Sequence, residues 1–242
     1  MKAITQVATA TTTDGSILIL NQHDNDFTIN VDRQELMSSR RHESEVQLAK
    51  LGCRNSIRNN QPYVLVGGLG MGYTLRAALD MLKPAATITV SELVPEVVEW
   101  NKKYLGGLTD DALSDKRVTV KIGDVVELLK ESPNCFDSIL LDIDNGPAAI
   151  TNISNARLYN RSGIKIIMNA LKEKGCVSFW SSGRDKTFEK RLKKFGLISR
   201  FFKVPVYKGA KACPICILVA SREFSSLPPL PPPRVREEKE TE

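Results

Sequence analysis

The chain has 242 residues, 42% of them hydrophobic and 26% charged, with a formal net charge of +6. That length and apolar content suffice to bury a full core and form one main domain. No apolar run reaches the roughly 18 residues needed to span a bilayer, and the N-terminal residues carry no apolar leader, so the expectation is a cytoplasmic protein with no membrane partner.

Residues 1–13 form a Thr- and Ala-rich segment that ends in the turn signal Asp14-Gly15. Ser16–Leu20 and Phe27–Asp32 then read as a β-hairpin, the second strand by its clean alternation of apolar and polar residues. Gln34–Leu51 reads as a helix whose near end, Ser38 to Glu45, is densely polar. This end is either a solvated helix start or a lid over a ligand, and hairpin and helix together make up residues 14–60.

The main domain, 61–222, opens on the stretch that organises the rest. Val64, Leu65 and Val66 read as a strand buried on both faces, and Thr74, Leu75, Ala78, Leu79 and Leu82 recur at helical spacing. Between them lie Gly67, Gly68, Gly70 and Gly72. Such glycines let the backbone turn with positive φ and let a ligand approach the main chain at a helix start.

Further strands follow, each ending in polar groups: Thr87–Glu92, Val118–Asp124, Phe136–Asp144 and Cys176–Ser182. Helices separate them: Pro95–Leu105, with proline at its start and glycines past its end, one opened by Asp124, and Ser162–Lys174. This alternation predicts an α/β fold, a Rossmann-like doubly wound sheet whose ligand edge carries the strand-end acids. Ile198–Val206 and Pro214–Ser221 read as a closing antiparallel pair. Residues 223–242 are Pro-rich and then highly charged, the composition of a disordered tail.

Five cysteines, at 53, 135, 176, 213 and 216, form an odd set suited to reduced, mostly buried thiols. Cys213 and Cys216 have metal-ligand spacing, but no second pair accompanies them and only His23 and His42 are available elsewhere, so no metal is expected. From Lys165 to Lys211 thirteen Lys or Arg face three acids. Polyanion binding is one reading of that surplus. The favoured one is the solvated face of a helix packed by Phe188, Leu192 and Phe195.

Glu92, some twenty residues past the glycines, is placed to accept from both ribose hydroxyls. Asp124, after Gly123, is placed to accept from an adenine amino group. No second nucleotide half follows, which favours a sulfonium nucleoside, S-adenosylmethionine or its decarboxylated form, over a dinucleotide.

Val64–Leu79, Ser91-Glu92 with Pro95-Glu-Val-Val, Ile122-Gly-Asp124, Ile139 to Pro147, and Leu158-Tyr159 with Gly163 together resemble the spermidine/spermine synthase (polyamine aminopropyltransferase) family. The likeness runs from about Gly15 to Ser221. It is strongest to a compact subgroup carrying Gly-Gly-Leu-Gly-Met-Gly and Asp-x-Asp-Asn-Gly-Pro on a class I methyltransferase-like domain. The resemblance implies that Glu92 holds the ribose, Asp124 contacts adenine, and Asp142 stands over the sulfonium with Asp144 nearby as the catalytic acids.

The chain also departs from the family pattern. Gly70 stands where the family's glycine loop carries an acid for the donor's ammonium, which predicts tolerance of intact S-adenosylmethionine. The family's Asp-x-x-Asp-Pro becomes Asp142-x-Asp144-Asn145, and Ser44-Glu45-Val46 replaces its Tyr-His pair. Glu35, Glu43, Glu45 and Asp144 are the acids left to meet a cationic amine.

The expectation is therefore a transferase of polyamine metabolism that moves an alkyl group, aminopropyl by resemblance, from decarboxylated S-adenosylmethionine or S-adenosylmethionine to a small amine, in a chain compatible with a homodimer. A methyltransferase acting on a small molecule or RNA is the alternative. A protein that binds nucleosides or nucleic acid without catalysis is the third reading.

Overall fold

Val64 and Val66 enter one apolar cluster and Leu65 another on the opposite side, so the strand that carries them, β5 (Tyr63–Gly67), is covered on both faces as the sequence predicts. The computed structural model describes residues 3–12, 15–31, 34–143, 156–210 and 212–230. Around β5 lie β6 (Thr87–Glu92), β7 (Val118–Ile122), β8 (Phe136–Leu141), β9 (Leu171–Ser181), β10 (Ile198–Val204) and β11 (Ile215–Ser221). They form one sheet in the order β10-β11-β9-β8-β5-β6-β7.

The strands from β7 to β9 pair in parallel, and β11 runs antiparallel to both β9 and β10. Strand order reverses at β5, whose neighbours are β6 and β8. A crevice outside the carboxyl ends of the strands is expected at such a reversal.

Helices α1 (Glu43–Gly52), α2 (Tyr73–Met81) and α3 (Pro95–Trp100) and helices α4 (Val125–Lys130), α5 (Ala156–Tyr159), α6 (Arg161–Ala170) and α7 (Lys186–Lys194) complete the layers. Ala49, Leu75, Ala78, Val97 and Val98 pack with Val64, Val66, Ile88 and Val90 on one face. On the other, Val126, Leu129, Ile164, Ile167, Phe188 and Leu192 pack with Leu65, Ile139, Leu141 and Phe179. Lys186, Lys190, Lys193 and Lys194 are exposed on α7, which is the solvated-face geometry favoured by the sequence.

Ahead of the large sheet stands a smaller antiparallel one: β1 (Thr5–Thr11), β2 (Ile17–His23), β3 (Asp26–Val31) and β4 (Gln34–Ser38). The expected hairpin is its centre, and two strands are additions. Thr-rich β1 pairs with β2 from Thr5↔Gln22 to Thr11↔Ile17, an extended conformation that β-branched threonines favour. Strand β4 pairs with β3 from Thr28↔Ser38 to Val31↔Gln34, so the helix expected from Gln34 starts only at Glu43. Leu18, Leu20, Phe27 and Ile29 join the same apolar cluster as Leu75 and Met71, which seats this small sheet beside the glycine loop.

Two other boundaries move. The helix expected to reach Lys174 ends at Ala170, because Leu171 already pairs with Phe136 of β8. Residues expected to begin the disordered tail instead pack on the body of the domain. Phe224–Ser226 form a 3-10 turn, and Leu227 is buried against Leu48, Phe202 and Ile217. Burial of that one leucine outweighs the breaking tendency of the prolines after it. Residues 231–242 lie outside the described part.

Candidate active site

The loop after β5 is shaped by contacts that a side chain would prevent. Gly68 has φ +87°, and a Cβ there would lie 2.2 Å from the carbonyl oxygen of Asp142. Its absence lets the end of β8 close against the loop, where Asp142 N–H donates to Gly67 O at 2.8 Å. Gly70 has φ +53°, and a Cβ there would meet Met37 Sδ at 3.0 Å. Buried Asn101 braces this loop, its amide donating to Gly70 O at 2.8 Å and Val97 O at 2.9 Å. Of the four predicted glycines, Gly68, Gly70 and Gly72 take positive φ, and Gly67 completes the strand.

Glu92 ends β6 and is nearly buried. One carboxylate oxygen accepts from Leu69 N–H and the other from Val94 N–H, both at 2.9 Å. Burial raises its pKa while those backbone bonds, joined by Gly70 and Leu93, lower it. Its most direct structural work is therefore to brace the glycine loop.

Asp124 caps α4, accepting from Val126 N–H at 2.8 Å, and its other oxygen is ion-paired with Arg157. The sequence foresaw the cap but not the arginine. A ligand amino group would share this carboxylate with Arg157 or displace it.

Asp142 follows β8 and lines a cavity of about 80 Å³ together with Glu45, Gly70, Leu36, Met37, Met71, Tyr73 and Trp180. Burial, then the charge of Glu45, push its carboxyl up to about 7, against a hydrogen bond from Thr74 Oγ1 at 2.5 Å. Burial likewise raises Glu45, to which Ser44 Oγ donates. Thr74 Oγ1 also lies 3.3 Å from Glu45 O. A hydroxyl has one proton, so ionised Asp142 takes the Thr74 hydrogen, whereas a protonated Asp142 gives its own and turns Thr74 toward Glu45 O.

Asp144, the second predicted catalytic acid, lies outside the described residues. Glu45 lines the cavity with Asp142, and it comes from the polar cluster that the sequence left open between solvated start and lid. The same segment brings His42 over Tyr73, ring centroids 3.9 Å apart and nearly parallel. His42 Nδ1 lies 2.7 Å from Ser39 O, so that nitrogen carries the proton, and Tyr73 Oη donates to the same carbonyl at 3.3 Å. Burial pushes the Tyr73 phenol up to about 12, which keeps it neutral. The indole N–H of Trp180 is buried with no acceptor among the described residues.

Sequence reasoning missed Met37, Tyr73, Thr74 and Asn101 as parts of this site. No local pattern marks them: β4, α2 and the turn that follows α3 bring them together only once folded. Trp180 alone carried a signal, as an aromatic at a strand end.

A mostly parallel sheet with this strand order, a glycine turn at the reversal and acids at the carboxyl ends defines a methyltransferase-like α/β protein. Solved structures agree: a spermidine synthase from Thermotoga maritima superposes with a TM-score of 0.68 at 18% identity, over 93% of this chain and 75% of that one. A spermidine synthase in complex with the transition-state analogue AdoDATO gives a TM-score of 0.70 at 19% identity, over 93% and 77%.

A family model described as the spermine/spermidine synthase domain matches residues 48–195, more than half of the chain. The chain belongs to that family. Similar curated proteins include a polyamine aminopropyltransferase of Saccharolobus solfataricus, 28% identical over 140 residues, 58% of this chain and 45% of that protein. One from Bacillus mycoides is 36% identical over 120 residues, 48% of this chain and 40% of that protein. The matched stretch thus spans less than half the length of these relatives. Among the described residues, no helix is long and apolar enough to cross a membrane.

Proposed function

We propose that the chain transfers an aminopropyl group from decarboxylated S-adenosylmethionine to a small amine. The observation that carries this reading is the pair of carboxyl groups, Asp142 and Glu45, in one narrow cavity at the glycine loop, whose walls also include Leu36, Met37, Met71, Tyr73 and Trp180. Two acids set among apolar walls suit an alkyl chain with ammonium ends. The cavity has room for the reacting groups, and Gly67 to Gly72, Glu92 and Asp124 are the residues that would hold the nucleoside beyond it.

In the reaction, the neutral amine nitrogen attacks the aminopropyl carbon bonded to sulfur. The C–N bond forms as the C–S bond breaks, and the electron pair of that bond neutralises the sulfonium to a thioether. The new ammonium then loses its proton to Asp142. A carboxylate whose pKa is near 7 suits this task at neutral pH, since a base works best when its pKa lies near the working pH. Glu45 would meet the ammonium of the donor, the role that the family gives to an acid at the position of Gly70. An acid at 70 would run into Met37, so the charge comes from α1 instead.

Methyl transfer from intact S-adenosylmethionine is the second reading, favoured by the glycine at 70 and by the unpaired indole N–H of Trp180, which could donate to the donor's carboxylate. The two acids weigh against it, because Asp142 and Glu45 line the same cavity and like charges would repel the carboxylate of the intact donor.

The test is turnover of purified protein on putrescine or spermidine with each donor. The aminopropylated amine and methylthioadenosine are expected from the decarboxylated donor, and Asp142→Asn is expected to lower kcat by about 10² to 10⁴. A methylated amine from the intact donor would replace this reading with the second.

A further inference from the structure

A second cavity, larger than the acid-lined one at about 280 Å³, lies against the edge strand β10 of the large sheet. Its walls include Arg54 and Arg58, just past the end of α1, Arg200 of β10, and Phe224 of the 3-10 turn that packs against the domain. Among the described residues no carboxylate lines it. Glu223 precedes the wall without contributing to it. Among the described residues neither Arg54 nor Arg58 has an ion-pair partner, whereas Arg40, Arg41, Arg76, Arg117 and Arg184 each have one.

Arg200 is held in place. Its guanidinium stacks on the Phe224 ring, 4.5 Å from the centroid, and donates to Pro228 O at 2.5 Å. Asn55 ties the far wall together, its amide donating to Lys174 O at 3.0 Å and Ser226 Oγ at 3.4 Å. The place is built, with one fixed guanidinium and two exposed ones able to close on a guest.

Like charges gathered around a cavity without a counter-charge repel one another, and an anion in the cavity relieves that. The arginines come from two parts of the chain, the segment just past α1 and strand β10, and line one cavity. A planar carboxylate offers oxygens in one plane, while a tetrahedral phosphoryl group offers them in three directions. We propose that this pocket, at the edge strand of the large sheet, binds a phosphoryl-bearing anion of at least two negative charges.

The test is calorimetry of the full chain with sodium pyrophosphate at about 0.15 M salt. Saturable binding of one pyrophosphate per chain is expected, with the affinity reduced at least about tenfold in R54A/R58A. Both residues are exposed, so the melting temperature of this variant without pyrophosphate should stay that of the parent. Arg200→Lys should weaken binding too, because lysine cannot keep the guanidinium stack and fork. The control K190A/K193A removes the same charge from α7 and should bind like the parent. Absence of saturable binding with a Kd below about 1 mM would overturn the proposal. An equal loss in the lysine control, or succinate binding as tightly as pyrophosphate, would reduce the pocket to general charge attraction and overturn it as well.

Discussion

Burial and the neighbouring Glu45 lift the Asp142 carboxyl from an ordinary value of 3.8 to about 7, so in the ligand-free protein it still holds a proton across much of the acid range. The native state then binds more protons than the unfolded chain between about pH 4 and pH 7, and stability contributed by this group falls as pH rises through that window. Asp142→Asn cannot ionise and escapes the loss. Thermal unfolding of the two proteins should show the parent losing stability relative to the variant between about pH 4 and pH 7, and parallel profiles would deny the raised pKa. As the proposed base, Asp142 acts when ionised, so kcat/KM should rise with pH and level off above about 7. Glu92 allows a different residue-level test. Glu92→Ala would strip partners from the Leu69 and Val94 amides, at a cost of about 1–3 kcal/mol for each buried group left unsatisfied. Denaturant unfolding should register that loss with no ligand present, which an acid serving only a ribose would not produce.

At the scale of elements, what could be read in the chain was whatever local pattern decides. The Val64–Val66 run, the glycine turn and the acids closing β6 and β8 were legible because burial on both faces and turn chemistry leave marks in neighbouring residues. Strand β4 was not. Gln34-Glu-Leu-Met-Ser38 has no alternation of its own and is a strand because β3 supplies its hydrogen bonds. That error hid the cavity, since Met37 and the first turn of α1 form its wall. The glycine loop and β8 are coupled at Gly68. Gly68→Ala would place a methyl against Asp142 O at a positive φ, expected to cost about 1–3 kcal/mol of strain and to lower turnover by moving Asp142. Gly107→Ala, where a Cβ meets nothing within 4 Å, should stay within about 0.5 kcal/mol of the parent. Equal effects in unfolding and turnover assays would mean that the contact between loop and strand does not set the site.

Over the whole molecule, charge is sorted by location. Acids gather at the carboxyl ends of the parallel strands, while the surplus of Lys and Arg lies on α7 and around the pocket at the edge strand β10. If the acceptor is a small amine, neutralising Lys190, Lys193 and Lys194 together should leave turnover near that of the parent. Strong loss of activity on an RNA substrate, with a salt dependence that shrinks on neutralisation, would instead make α7 a nucleic-acid surface. The deciding measurement is mass spectrometry of the amine product after the protein is incubated with putrescine and, in separate reactions, decarboxylated or intact S-adenosylmethionine. The pairing of Asp142 with Glu45 predicts an aminopropylated product from the decarboxylated donor, sharply reduced in Asp142→Asn. A methylated product from the intact donor, with no aminopropylated amine from the other, would contradict it.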